Sequence, residues 1–215
     1  MKIRFNNIPL KITAARLFLS PALVLLFWLA IKGSGYGQTT TELIVTLKPG
    51  LFIAALAIFA LQQLSDMVDG YLARKHKQVT DLGKLADPLA DTISNFGAYL
   101  CLMWVGLIPF WLLFVMYVRE ASVSTLRVIA ASNGLVVAAR PSGKLKSLSL
   151  AVGADILLMT MLVAHYVPTS ASATAITVLE TVAMVVSWLV GAMMLISLAD
   201  YYFAVTRARS VKSQS

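Results

Sequence analysis

The chain has 215 residues, 59% of them hydrophobic and only 13% charged, with a mean hydropathy of +0.80. Soluble domains run nearer half apolar and a quarter charged, so this composition excludes an ordinary soluble domain and specifies an integral membrane protein of one domain. The balance of 18 Lys and Arg against 10 Asp and Glu needs no nucleic acid to explain it, because anionic lipid headgroups attract such charge; the single cysteine, Cys101, cannot build a disulfide framework or a thiolate metal site.

Apolar runs at about 14–32, 51–73, 84–107, 109–132, 147–167 and 173–204 predict an all-α membrane protein of six transmembrane helices in a single domain, 1–215. The basic stretch up to Lys11 precedes a run too long for a signal-peptide core and without a cleavage site, so the first helix is expected to be retained. Residues Asn6 to Ala14 predict a short N-terminal interfacial segment. The joint at 33–50 is loose, Ile108-Pro109 and 167–172 are tight turns, and the tail from Arg207 is expected to be disordered.

Cations set the expected orientation. Lys2, Arg4, Lys11 and Arg16 stand at the first helix, Arg74, Lys75, Lys77 and Lys84 between the second and third, Arg140, Lys144 and Lys146 between the fourth and fifth, and Arg207, Arg209 and Lys212 at the end. The opposite joints hold only Lys32 and Lys48. Short cytoplasmic loops collect Lys and Arg, so both termini are expected in the cytoplasm.

Half of the acidic residues, Asp66, Asp69, Asp81, Asp87 and Asp91, crowd into the end of helix 2 and the start of helix 3. A carboxylate inside a bilayer costs ~2.5–3.5 kcal/mol on insertion scales, so such a cluster requires compensation. Asp66, Asp69, Gly70 and Ala73 fall at i, i+3, i+4 and i+7, one stripe of a helix, and Asp87 and Asp91 share a face of the next. A short joint makes the two helices antiparallel, so four carboxylates meet near the cytoplasmic surface. All-oxygen ligation favours a hard divalent ion, Mg2+ or Mn2+, and the small Gly70 and Ala73 leave a slot for a phosphate chain. The pattern reads as phosphoryl chemistry; the plainer alternative is a solvated pair of helix ends whose acids pair with Arg74, Lys75, Lys77 and Lys84.

The run Asp66-x2-Asp69-Gly70-x2-Ala73-Arg74-x8-Gly83-x3-Asp87-x3-Asp91 resembles the signature of the CDP-alcohol phosphotransferases. The resemblance implies a homodimeric six-helix membrane enzyme, its active site open to the cytoplasm, that displaces CMP from a CDP-linked donor with the hydroxyl of an alcohol. It further implies a two-metal centre on Asp66, Asp69, Asp87 and Asp91, with Asp91 also the general base. Gly70, Ala73, Arg74, Gly83 and Thr80 would then contact the CDP donor or pack beside it, while Asp81 lies in a variable gap and reads as a solvated loop acid.

The acceptor must be read from helix 4 and the loop after it. Arg119, Glu120 and Arg127 interrupt an apolar helix, and one glutamate satisfies only one of two arginines, which leaves a phosphate as the second partner. Arg140, Ser142, Lys144 and Lys146 add a basic, Gly-containing stretch able to hold a phosphomonoester. The pattern Arg119-Glu120-x3-Ser124-x-Leu126-Arg127, then Gly143-Lys144-x-Lys146-Ser147, together with Asn7-Ile8-Pro9, Thr13-x2-Arg16 and Pro21, is similar to the family branch that forms phosphatidylglycerophosphate. That branch uses CDP-diacylglycerol as donor and sn-glycerol 3-phosphate as acceptor. Two positions depart from it: Thr92 stands where Lys is common, and Arg140 where a small hydroxyl residue is frequent. Transfer to inositol phosphate is the alternative within the family, and a divalent-cation transporter the alternative outside it; the latter requires polar residues through the full bilayer depth, whereas these stay near one side.

Overall fold

Each apolar run becomes a helix. The computed structural model describes residues 8–31, 46–75, 81–133, 141–167 and 172–213, with side chains at 12–31, 46–65, 88–133, 141–167 and 173–210. Its helices are α1 (Ile8–Ala30), α2 (Pro49–Lys75), α3 (Asp81–Trp104), α4 (Phe110–Ser132), α5 (Pro141–Tyr166) and α6 (Ser172–Ser213). The all-α class stands.

The count of crossings does not. Among the described residues only three helices are long and apolar enough to span a membrane: Ile12–Ala30 in α1, Pro141–Tyr166 in α5 and Ala173–Ser210 in α6. The apolar stretch of α2, Pro49–Ser65, is shorter than a span. α3 carries Asp81, Lys84, Asp87 and Asp91, and α4 carries Arg119, Glu120 and Arg127. One central charge costs ~2.5–3.5 kcal/mol, whereas Leu, Ile, Phe or Val each return only ~0.3–0.6 kcal/mol, so three charges cancel a whole apolar run. The chain is a membrane protein with, among the described residues, three helices apolar enough to span rather than six.

Three boundaries also differ from the sequence reading. α1 begins at Ile8 and absorbs residues 8–13, expected as a separate interfacial segment, into the first helix; Asn6 and Asn7 lie outside the described residues. α5 begins at Pro141, ahead of the expected 147, because a proline at the first helical position lacks only an N–H that has no partner there anyway. α6 continues through the tail to Ser213, and its 42 residues give a rod of about 63 Å, twice the ~30 Å hydrocarbon core.

The turn after α3 is legible in its backbone. Gly106 has φ +75°, its N–H bonds the Met103 carbonyl at 2.9 Å, and the Leu107 N–H reaches back to the Leu102 carbonyl at 3.0 Å. This paired closure of a helix end needs a left-handed residue, which glycine adopts without steric cost. Pro109 then starts α4 in extended conformation.

Two sets of helices pack together: α1 lies against α2 and α3, and α6 against α5 and α4. Their seam is one apolar core, with Leu23, Phe27 and Ala30 of α1, Phe52, Ala55 and Phe59 of α2, and Leu150, Ala154, Leu157 and Met161 of α5 all buried. These recur at helical spacing, one stripe per helix, while the opposite faces expose Phe18, Leu61, Phe114 and Leu189. Lipid tails are as apolar as leucine, so close packing and buried polar contacts must hold such helices together. Gly153 is the tightest place. A Cβ there would lie 2.7 Å from the Tyr99 hydroxyl and 3.0 and 3.1 Å from Val190 and Val186, and the same hydroxyl donates to the Leu150 carbonyl. Gly153→Ala is therefore expected to lower stability by about 1–3 kcal/mol through overpacking, measured as a lower melting temperature in detergent.

Candidate active site

Asp91 is where three helices meet. Its Oδ1 accepts from Asn95 Nδ2 at 3.0 Å and lies 3.8 Å from Arg16 Nη2, and its Oδ2 accepts from the Ser147 hydroxyl at 3.4 Å. Arg16 comes from α1, Asn95 from the next turn of α3 and Ser147 from the start of α5. Arg16 is 1% exposed, the Asp91 side chain 21%, so the cation is locked in protein while the carboxylate keeps an open side.

A buried amide holds α1 at this register. Gln62 of α2, fully buried, donates to the Arg16 carbonyl at 3.3 Å and to Ser20 Oγ at 3.1 Å, and accepts from Ser94 Oγ at 2.7 Å. Ser20 in turn donates to the Arg16 carbonyl. One side chain thus ties α1, α2 and α3 together a turn away from Asp91. An amide away from water has high-stakes bonds, and all of these are made in a low-dielectric seam.

A second cluster stands beside the first, on α4, α5 and α6. Glu120 Oε1 accepts from Lys146 Nζ at 2.6 Å and from Arg119 Nη1 at 2.8 Å, and Arg119 Nη2 donates to Ser197 Oγ at 2.8 Å. Arg119 and Lys146 are buried, so among the described residues two cations share one carboxylate, with a net positive charge. Burial pushes the Glu120 carboxyl up, but the Lys146 ammonium and the Arg119 guanidinium outweigh it and hold the group below its ordinary value. Lys146 and Ser147 are neighbours on α5, so this helix contributes one residue to each cluster.

Other expected residues fall elsewhere. Arg127 and Lys144 are exposed, and Ser142 donates to Asp200 Oδ2 of α6. Asp66 and Asp69 lie on the C-terminal part of α2 with Gly70, Ala73 and Arg74, and Asp87 and Gly83 on the first turns of α3; their side chains are outside the described residues, as are Thr80 and Arg140 altogether. Among the described residues no three His, Cys, Asp or Glu side chains gather as a metal cluster. Sequence reasoning assigned no site role to Arg16, Gln62, Asn95 or Ser197, and read Ser147 only as the end of the basic stretch. The signal for Gln62 and Arg16 was present, as polar residues inside apolar runs.

The profile of the CDP-alcohol phosphatidyltransferases matches residues 6–206. The chain belongs to that family. As a CDP-alcohol phosphatidyltransferase it is 36% identical, over 75% of its length and 79% of the relative's, to the CDP-diacylglycerol–glycerol-3-phosphate 3-phosphatidyltransferase of Bacillus subtilis. It is 38% identical to the Treponema pallidum protein of the same name over 45% of each chain. A shorter stretch, 37% of each chain, is 38% identical to the CMP-forming cardiolipin synthase of Streptomyces coelicolor. The matched residues of this phosphatidyltransferase include both clusters and the whole run from Asp66 to Asp91.

Proposed function

We propose that the protein transfers the phosphatidyl group of CDP-diacylglycerol to sn-glycerol 3-phosphate, giving phosphatidylglycerophosphate and CMP. The observation that carries the acceptor is the buried Arg119–Glu120–Lys146 cluster, which retains a positive charge one residue along α5 from the Ser147–Asp91 contact. A buried cation in excess of its counterions calls for an anion, and a phosphomonoester has the charge and the acceptor oxygens to meet both Arg119 and Lys146. Similarity to the Bacillus subtilis enzyme over three quarters of the chain supports the same acceptor.

In this reading residues 1–215 form one catalytic domain. Asp66, Asp69, Asp87 and Asp91 hold one or two divalent ions, a donor set of carboxylate oxygens suited to Mg2+ or Mn2+. The metal, when bound, neutralises charge on the attacked phosphate and on departing CMP. Gly70, Ala73, Gly83, Thr80 and Arg74 receive the cytidine diphosphate end of the donor. Arg119 and Lys146 hold the acceptor's phosphate, with Arg127, Arg140, Ser142 and Lys144 at the basic approach. Asp91 takes the proton of the attacking hydroxyl; Asn95 fixes the orientation of its carboxylate, and Arg16 keeps a positive charge beside it. In this reading the site faces the cytoplasm, which the excess of basic residues around this end supports, and the enzyme works as a homodimer.

The test is CMP release by the purified protein in mixed micelles of CDP-diacylglycerol with Mg2+, using glycerol 3-phosphate or inositol phosphate as sole acceptor. Release is expected with glycerol 3-phosphate, abolished by a chelator and restored by Mg2+ or Mn2+. Release with inositol phosphate alone would keep the chemistry and overturn the acceptor.

A further inference from the structure

Two neighbouring glutamines of α2 meet two neighbouring residues of α3. Gln62 Oε1 accepts from Ser94 Oγ at 2.7 Å, and Gln63 Nε2 reaches Asn95 Oδ1 at 3.5 Å. Gln62, Ser94 and Asn95 are at most 1% exposed, so these contacts lie away from water, where amide bonds are strong and costly to leave unmade. The two helices run in opposite directions here. Farther from the joint that connects them, Phe52 and Ala55 of α2 line the same cleft as Ala98 and Cys101 of α3.

We infer that this double contact is a clasp that sets the acidic positions of α2 against those of α3, with Gln62 and Gln63 as positioning residues for the divalent ion. The inference rests on the metal site proposed above and adds what fixes its geometry. Register comes first. Position 66 lies four residues beyond Gln62 and position 91 three residues before Ser94, about 6 and about 4.5 Å along the two axes, so the two positions come level to within about 1.5 Å. Measured from Gln63 and Asn95 the steps are three and four, and the small difference reverses. Positions 69 and 87 each lie seven residues from Gln62 and Ser94, about 10.5 Å along either axis. Rotation follows from the same pairs. At about 100° per residue, Gln62 and Gln63 open an arc on α2 that contains positions 66, 70 and 73 and ends about 20° short of 69. Ser94 and Asn95 open an arc on α3 that contains 87 and 91. The clasp therefore turns the two acidic stripes toward each other at one depth. It also reaches the chemistry directly, because Asn95 Nδ2 donates to Asp91 Oδ1 at 3.0 Å. Apolar side chains at 62 and 63 would hold the helices in contact without fixing their register, since dispersion has no preferred direction and hydrogen bonds do.

The experiment reads metal binding apart from turnover. Mn2+ is titrated into the purified protein in detergent, without substrates, and free Mn2+ is followed by electron paramagnetic resonance. Ser94→Ala removes one hydroxyl from the clasp and leaves Gln62 bonded to α1. Combined with Gln63→Leu, it is expected to raise the Mn2+ Kd about tenfold, the lower end of what outer partners of metal ligands contribute. The Mg2+ concentration for half-maximal CMP release should rise by the same factor, with the KM for glycerol 3-phosphate unchanged, because that phosphate is assigned to Arg119 and Lys146. An exchange of partners, Gln62→Ser with Ser94→Gln, puts an amide and a hydroxyl back across the same two positions. It should recover most of the affinity that Gln62→Ser alone loses. An unchanged Mn2+ Kd in a variant of lowered melting temperature would make the contacts packing only and overturn the clasp, as would an exchange whose effect equals its two single changes added together. Wild-type protein that binds no Mn2+ would instead overturn the metal site on which the clasp rests.

Discussion

Asp91→Asn is expected to lower turnover by about a thousandfold, within the range that a positioned general base contributes, while the helices stay assembled. Asparagine has the shape of aspartate, and the bond from Asn95 Nδ2 to the residue-91 backbone carbonyl, 2.9 Å long, does not depend on the side chain. What disappears is the negative charge that Arg16 faces at 3.8 Å and Ser147 approaches at 3.4 Å. An amide oxygen neither takes the proton of an attacking hydroxyl nor binds a hard divalent ion as a carboxylate does. The loss should therefore fall on kcat, with the KM for glycerol 3-phosphate little changed, because the acceptor's phosphate is assigned to Arg119 and Lys146. CMP release gives both constants, and circular dichroism with gel filtration in detergent reports the fold. A variant that keeps a tenth of wild-type turnover would remove Asp91 from the chemistry.

The two kinds of site information were legible in the sequence to different depths. Asp66, Asp69, Asp87 and Asp91 announce themselves because helical spacing alone puts them on faces and intramembrane acids demand a reason. Arg119 announces itself as a misplaced cation and Lys146 as part of a basic loop able to hold a phosphate, and the structure brings both to one carboxylate. Arg127 does not join them: eight residues carry a helix about 80° beyond two full turns, and in α4 that rotation leaves Arg119 inside with Val123 and Ala130 while Arg127 is exposed. Contacts across the chain were not legible at all. Ser197 reaches Arg119, and Gln62 reaches Arg16 and Ser94, only because particular faces of α6 and α2 pack inward. The six crossings failed for an energetic reason, since a run of apolar letters tolerates Asp87, Asp91 or Arg119 on paper at a cost that the bilayer does not.

Glu120→Ala is expected to cost the fold about 3–5 kcal/mol, the penalty for removing one partner of a buried ion pair. Glu120 Oε1 accepts from both Lys146 and Arg119, whose side chains are only 7% and 9% exposed. Truncation leaves two like charges facing each other in a low-dielectric seam, and Ser197 covers only one N–H of the guanidinium. The pH dependence follows from the lowered pKa of this carboxyl, which stands on α4 outside the three spanning segments. A depressed folded-state value means that the contribution is fully present above the ordinary glutamate pKa and is lost only as pH falls through the lower folded one. Thermal unfolding in detergent should therefore show a wide gap between wild type and variant at neutral pH that closes only in strong acid; a gap that is the same at every pH would show that lost packing, not lost charge, sets the cost. Glycerol 3-phosphate supplies a further check. A phosphate between Arg119 and Lys146 restores the missing anion in the variant, so it should raise the variant's melting temperature more than that of wild type, where the ligand meets a cluster already half neutralised.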